Sequence, residues 1–348
     1  MENLNALVRE NIRELKPYTS AREISAAKGY VLLDANENPF GNTLNRYPDP
    51  VQTELKQQIS KMNGVAPGQL FLGNGSDEII DLVMRLFCQP GKDNIVTIDP
   101  TYGMYEVVAK INGIEFRKVA LDDNFDISTD AMLNEADEQT KLTILCSPNN
   151  PTGNILDKSE VRKLLDSFPG IVLLDEAYID FAADKGFLGE MNQYPNLILL
   201  RTLSKAWGLA GIRLGKAFAS EEIVSLLNKV KFPYNVSKIN QKIAQKALNR
   251  QKQINKKIQR IISEREKMKT RLHTFSFIEH IFPSDANFLL MRVSNSQALT
   301  DFMQRSGILV RDRSGLKGCR NCVRLTIGTP KQNQLVLKKM KKFERSLT

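Results

Sequence analysis

At 348 residues the chain is long enough for two domains of about 100–200 residues each, with 42% apolar and 25% charged residues, a balance that excludes a disordered polymer. No apolar run approaches the roughly 18 residues a membrane span needs. The net charge is +10, but the basic residues crowd segments 238–271 and 331–345, which carry apolar residues at helical spacing and almost no aromatics, so solvated helix faces and attraction of small anions are expected rather than nucleic-acid binding.

In chain order, Leu4, Leu7, Val8, Ile12 and Leu15 mark one face of a helix within an N-terminal arm, residues 1–30, expected to lie on a neighbour. Its acidic residues Glu2, Glu10 and Glu14 argue against a transit peptide, and it lacks a basic start followed by an apolar core; a cytoplasmic protein is expected. From about 70 to 230 short apolar runs alternate with helical patterns. Strands are predicted over 95–98, 142–146, 171–174, 197–200 and 216–219, and helices over 78–88, 102–111, 158–168 and 221–230. Strands apolar throughout indicate a mostly parallel sheet covered on both faces, so ligands belong beyond the strands' carboxyl ends. The whole of 31–237 reads as one large α/β domain. A long helical segment, 238–272, opens a smaller α+β domain, 238–348, with strands over 287–293, 308–311 and 322–327 and helices over 297–305 and 331–343. Of Cys88, Cys146, Cys319 and Cys322 the last two form a Cys-x-x-Cys that can bind zinc or do redox work, but zinc would need two more ligands and His273 and His280 are far away in sequence; unpaired thiols are expected.

Four polar clusters fall at loops or strand ends. Gly73-Asn74-Gly75-Ser76-Asp77-Glu78 runs into a helix, where free N–H groups can face an anion, although a glycine turn alone is usually only a turn. Ser147-Pro148-Asn149-Asn150-Pro151-Thr152-Gly153 follows the second predicted strand and by itself reads as a proline-rich turn. Asp175 ends the third strand, with Tyr178 three residues on; a carboxylate buried there needs a partner, either a protein cation or a ligand. Thr202-Leu203-Ser204-Lys205 follows the fourth, with Arg213 eight residues beyond Lys205. A lysine, an anion cradle and an acid are what pyridoxal 5'-phosphate (PLP) requires for its Schiff base, phosphate and ring nitrogen.

This order of motifs resembles the aminotransferases of the aspartate aminotransferase fold (PLP fold type I), whose large domain carries a mostly parallel, seven-stranded-type sheet flanked by helices. Within them the chain is similar to the histidinol-phosphate branch, on Leu33-Asp34-Ala35-Asn36-Glu37-Asn38-Pro39-Phe40-Gly41, Asn45-Arg46-Tyr47-Pro48-Asp49, Pro100-Thr101-Tyr102-Gly103-Met104-Tyr105, the stretch from Gly307 to Ser314 and that from Val323 to Thr329. The resemblance implies a transaminase of histidine biosynthesis that exchanges an amino group between L-histidinol phosphate and 2-oxoglutarate, with Lys205 carrying PLP and moving the proton. It further implies that Asp175 pairs with the ring nitrogen, Asn150 and Tyr178 with the ring 3-oxygen, and that Tyr102 stacks on the ring. Ser76, Asp77, Ser204 and Arg213 are expected to hold the cofactor phosphate, joined by Tyr47 from the other subunit of a homodimer. Arg324 and Arg311, closed over by Tyr18, are expected to grip the substrate's anion, and Asn36 to contact the substrate. A PLP decarboxylase of a phosphorylated amino acid and a broad-specificity aminotransferase share most of these features.

Overall fold

The computed structural model describes residues 4–18, 30–41 and 44–347; the parts of the expected arm at 1–3 and 19–29 lie outside the described residues. Within the arm the single predicted helix is two short ones, α1 (Leu4–Leu7) and α2 (Glu10–Arg13). Leu4 and Val8 are buried against the large domain, where the Arg9 N–H donates to the Leu86 carbonyl.

The chain then runs α3 (Thr53–Asn63), β1 (Leu70–Gly73), α4 (Ser76–Phe87), β2 (Asn94–Asp99), α5 (Met104–Ile111), β3 (Glu115–Ala120), α6 (Thr129–Glu135), β4 (Thr140–Cys146), α7 (Lys158–Ser167), β5 (Ile171–Asp175), β6 (Leu197–Thr202), β7 (Gly215–Phe218) and α8 (Glu221–Val230). The seven strands form one sheet in the order β1-β7-β6-β5-β4-β2-β3, parallel except for β7, which runs against both its neighbours. Alternate residues feed two cores. Leu145, Val172, Leu174, Leu197 and Leu199 join one face, and Ile144, Ile171, Leu173, Ile198 and Leu200 the other. Burial on both faces is why these strands read as unbroken apolar runs. Helices are punctuated as their sequences require: the Asp157 and Ser220 side chains accept N–H groups in the first turns of α7 and α8.

The segment predicted as one helix over 238–272 is two, α9 (Lys238–Leu248) and α10 (Gln251–Leu272), broken at Asn249–Arg250. Ala244, Leu248, Ile254 and Ile258 pack into the large domain's core, whereas Met268 and Leu272, at the far end of α10, enter a separate core. That second core underlies a four-stranded antiparallel sheet of β8 (Ile278–Ile281), β9 (Phe288–Val293), β10 (Arg311–Asp312) and β11 (Cys322–Thr326), in the order β10-β11-β9-β8, with α11 (Ser296–Arg305) and α12 (Pro330–Arg345). The apolar run 308–310 expected to be strand does not pair; pairing begins only at Arg311. Val323 and Leu325 of β11 point into the core, which leaves Cys322 and Arg324 on the opposite face.

Candidate active site

The sheet's carboxyl-terminal edge gathers the large-domain candidates. Asp175, the last residue of β5, sits opposite Cys146, the last of β4, and is buried. The next residue, Glu176, is the carboxylate with a protein cation, Arg201 at 2.7 Å. Asp175 has no ion-pair partner among the described residues. It accepts only the Tyr105 O–H at 2.8 Å and the Ala177 N–H at 3.0 Å. Burial pushes its carboxyl up to about 6, against the pull of those two hydrogen bonds. A buried acid with two donors and no ion pair among the described residues fits a ligand that brings a protonated nitrogen.

Lys205 follows β6 in the turn after Thr202, whose hydroxyl accepts the Ser204 N–H at 3.1 Å. By area Lys205 is exposed, but its ammonium end lies 5.6 Å from the centre of the Tyr178 ring and among protein atoms. Desolvation first, then the nearby Arg324, lower its pKa below the ordinary lysine value. A lysine more readily neutral is a better nucleophile toward a carbonyl.

The N-terminus of α4 lies alongside. Gly75, at φ +83°, takes a left-handed conformation that favours glycine, and a side chain there would strike the Arg213 guanidinium. A Cβ on Gly215 would lie 2.5 Å from the Gly75 carbonyl carbon and the Ser76 nitrogen, so β7 can approach this turn only as glycine. No side chain caps α4, leaving its first N–H groups to a ligand, and Arg213 reaches the same place by an ion pair to Asp77 at 3.1 Å. The tight glycine cradle, uncapped helix and arginine fit a phosphate.

Tyr102 is half-buried, its hydroxyl 3.5 Å from Asp77 and its ring edge-on to Tyr105. Burial and Asp77 raise its phenol to about 12, so it stays protonated. Tyr178 is buried, its phenol pushed higher still by burial. Arg324 reaches across from β11 to donate to the Asn150 side-chain oxygen, with its guanidinium 5.2 Å from the Phe288 ring centre. That contact brings the small domain's arginine beside Lys205, Asn150 and Tyr178. Arg311, the direct partner of Arg324 in the β10–β11 ladder, is exposed.

Among the described residues no hydrogen bond, ion pair or ring contact ties Tyr18, Asn36 or Tyr47 to this cluster. Tyr18 and Asn36 are exposed, and Tyr47 stacks on Tyr234 at 4.3 Å. Two site residues had no role in the sequence reading: Tyr105, which holds Asp175, and Arg313, beside Arg311 and Arg324. Both stand in quoted motifs, but only tertiary register shows where they point.

The model of the aminotransferase class I and II family matches residues 31–340. The chain belongs to that family, in its histidinol-phosphate aminotransferase branch. Histidinol-phosphate aminotransferase of Parabacteroides distasonis is 51% identical over 99% of this chain and 100% of its own length, and that of Bacteroides fragilis is 50% identical over the same shares. Among solved structures, the Clostridium acetobutylicum histidinol-phosphate aminotransferase superposes with a TM-score of 0.80 at 28% identity, covering 87% of this chain and 92% of that one. The Sinorhizobium meliloti enzyme in complex with pyridoxal 5'-phosphate also reaches 0.80, at 24% identity and 90% of each chain.

Proposed function

We propose that the chain is a PLP-dependent histidinol-phosphate aminotransferase, which moves an amino group between L-histidinol phosphate and 2-oxoglutarate and so serves histidine biosynthesis. The observation that carries this reading is one cluster: the buried acid Asp175, held by Tyr105 with no ion pair among the described residues, Lys205 close enough to act on it, and Arg324 bonded to Asn150. When bound, PLP supplies an electron sink that stabilises negative charge at the carbon losing its proton.

The chain's residues do the rest. The Lys205 amine would hold the cofactor and, once displaced, take the proton from the substrate's amine-bearing carbon and pass it to the cofactor. Asp175 keeps the ring nitrogen protonated, and the Tyr105 hydroxyl holds the acid in place. Asn150, whose oxygen is taken by Arg324, retains its amide N–H groups for the ring oxygen, which the Tyr178 hydroxyl shares. Backbone N–H groups of Ser76 and Asp77 cradle the cofactor phosphate with Ser204 and Arg213. Arg324 and Arg311 take the substrate anion, because a guanidinium fork matches both carboxylate and phosphate.

The same reading makes the protein a cytoplasmic homodimer in which Tyr47 reaches the partner's cofactor phosphate, Tyr18 closes over the substrate anion and Asn36 contacts the substrate. The exposure of Tyr30, Val31, Leu33, Phe40 and Phe232 supports a covering subunit. A panel of amino donors with 2-oxoglutarate as acceptor tests the function. Histidinol phosphate should be the preferred donor, with a ketone and glutamate as products. Preference for an aromatic amino acid, or release of carbon dioxide from a phosphorylated amino acid, overturns it.

A further inference from the structure

The face of the small sheet turned away from its main core carries three arginines. Arg311 stands directly opposite Arg324, and the Arg313 N–H donates to the Cys322 carbonyl at 2.8 Å, which places Arg313 one ladder step along on the same face. Asp312, between them, points the other way, where its carboxylate meets the Ser296 hydroxyl. None of the three arginines forms an ion pair among the described residues. The Nε–H of Arg313 is buried without any hydrogen-bond partner, although guanidinium donors normally find one. Burial, then Arg324 and Arg311, lower the Arg313 pKa to about 10. Three like charges and an unused buried donor leave a strong local demand for negative charge.

From these contacts we propose that Arg313 is a third member of the substrate-anion clamp and that it distinguishes a phosphate ester from a carboxylate. This rests on the function proposed above. A carboxylate on the amine-bearing carbon has two oxygens and one charge, and the Arg324 fork satisfies it. A phosphate ester stands further out, with three terminal oxygens and close to two charges, so it reaches the edge strand β10 and can accept from a second and third arginine. Arg313 is half-buried, with its Nε enclosed by the protein.

The test compares Arg313→Gln and Arg313→Lys holoenzymes with the native one, measuring the histidinol-phosphate and glutamate half-reactions separately and binding of inorganic phosphate to the holoenzyme, whose cofactor cradle is already filled. Arg313→Gln should lower kcat/KM for histidinol phosphate about ten- to a hundredfold, chiefly through KM, and weaken phosphate binding by a similar factor. The glutamate half-reaction should fall far less, which also controls for folding. Lysine should restore only part, since it keeps the charge without the Nε donor. Equal losses in both half-reactions, or unchanged phosphate affinity, overturn the assignment. A native enzyme inert toward histidinol phosphate refutes the substrate reading instead, while the phosphate-binding arm still decides whether Arg313 is an anion ligand.

Discussion

The two halves of the site are built to opposite standards. The cofactor half stands on the carboxyl ends of parallel strands with both faces buried, and its acid, Asp175, is enclosed. The proposed substrate half stands on the small sheet, where Arg324 and Arg311 share a face with the buried Leu290 and Cys322, and Arg311 is exposed. A group used identically in every turnover can be preorganised by packing. A group that must receive two chemically different substrates has to stay accessible and keep spare hydrogen-bonding capacity. The difference teaches that rigidity here follows what is constant in the reaction.

The sharpest way to break this contrast lies in the cofactor half. Lys205→Ala should lose more than about a thousandfold in turnover with either substrate while the fold survives, since the side chain faces the cleft. Borohydride reduction and peptide mapping of the native enzyme should label Lys205; a label on another lysine defeats the assignment. Mixing this variant with an inactive Tyr47 variant should regenerate some activity if Tyr47 serves the partner's site.

In the substrate half the effects should be smaller and unequal. Arg311→Ala should cost the histidinol-phosphate half-reaction about ten- to a hundredfold in kcat/KM and the glutamate half-reaction less. Single-turnover absorbance of the cofactor reads each half-reaction separately. Equal losses would make Arg311 a general anion ligand and erase the proposed division of labour.

The last effect is on stability and depends on pH. Because the folded Asp175 carboxyl holds its proton more tightly than the unfolded one, its contribution is present at low pH and is lost as pH rises from about 4 through about 6. Asp175→Asn, which does not titrate, should therefore gain stability relative to the native apoprotein across that window, levelling off near 3 kcal/mol. Thermal melts of both apoproteins between pH 4 and 8 check this. A gap that does not grow with pH would mean that Asp175 is not strained by burial.

Most of the large sheet was legible because strands apolar on both faces announce themselves. Edge strand β3 was not: Glu115, Arg117 and Lys118 leave it without an apolar run. β1 has only four residues before a glycine turn, and β8 has two of its four exposed. The break between α9 and α10 was hidden because neither proline nor glycine marks it, and the helical periodicity runs through. Lys205 and Asp175 stood out as candidates because each follows or ends a predicted strand, whereas Asn150 was singled out only by the family resemblance. Whether Asp175 had a protein cation was not readable; only the structure shows that Arg201 goes to Glu176. Arg313 and Tyr105 gain their meaning from ladder register and helix packing, which sequence spacing does not give.

The alternation along β11 has a consequence for descent. Val323 and Leu325 hold the core together, and Arg324 between them touches none of it. Across the ladder from Arg324, Arg311 is exposed and can be exchanged at a typical surface cost within about 0.5 kcal/mol, whereas the buried positions cannot. New anion preferences could therefore be explored by single substitutions at the exposed end of this row, on β10, without first acquiring compensating changes in the core. The small sheet works as a replaceable faceplate, over which the choice of amino donor could drift between lineages while the machinery beneath it stayed fixed.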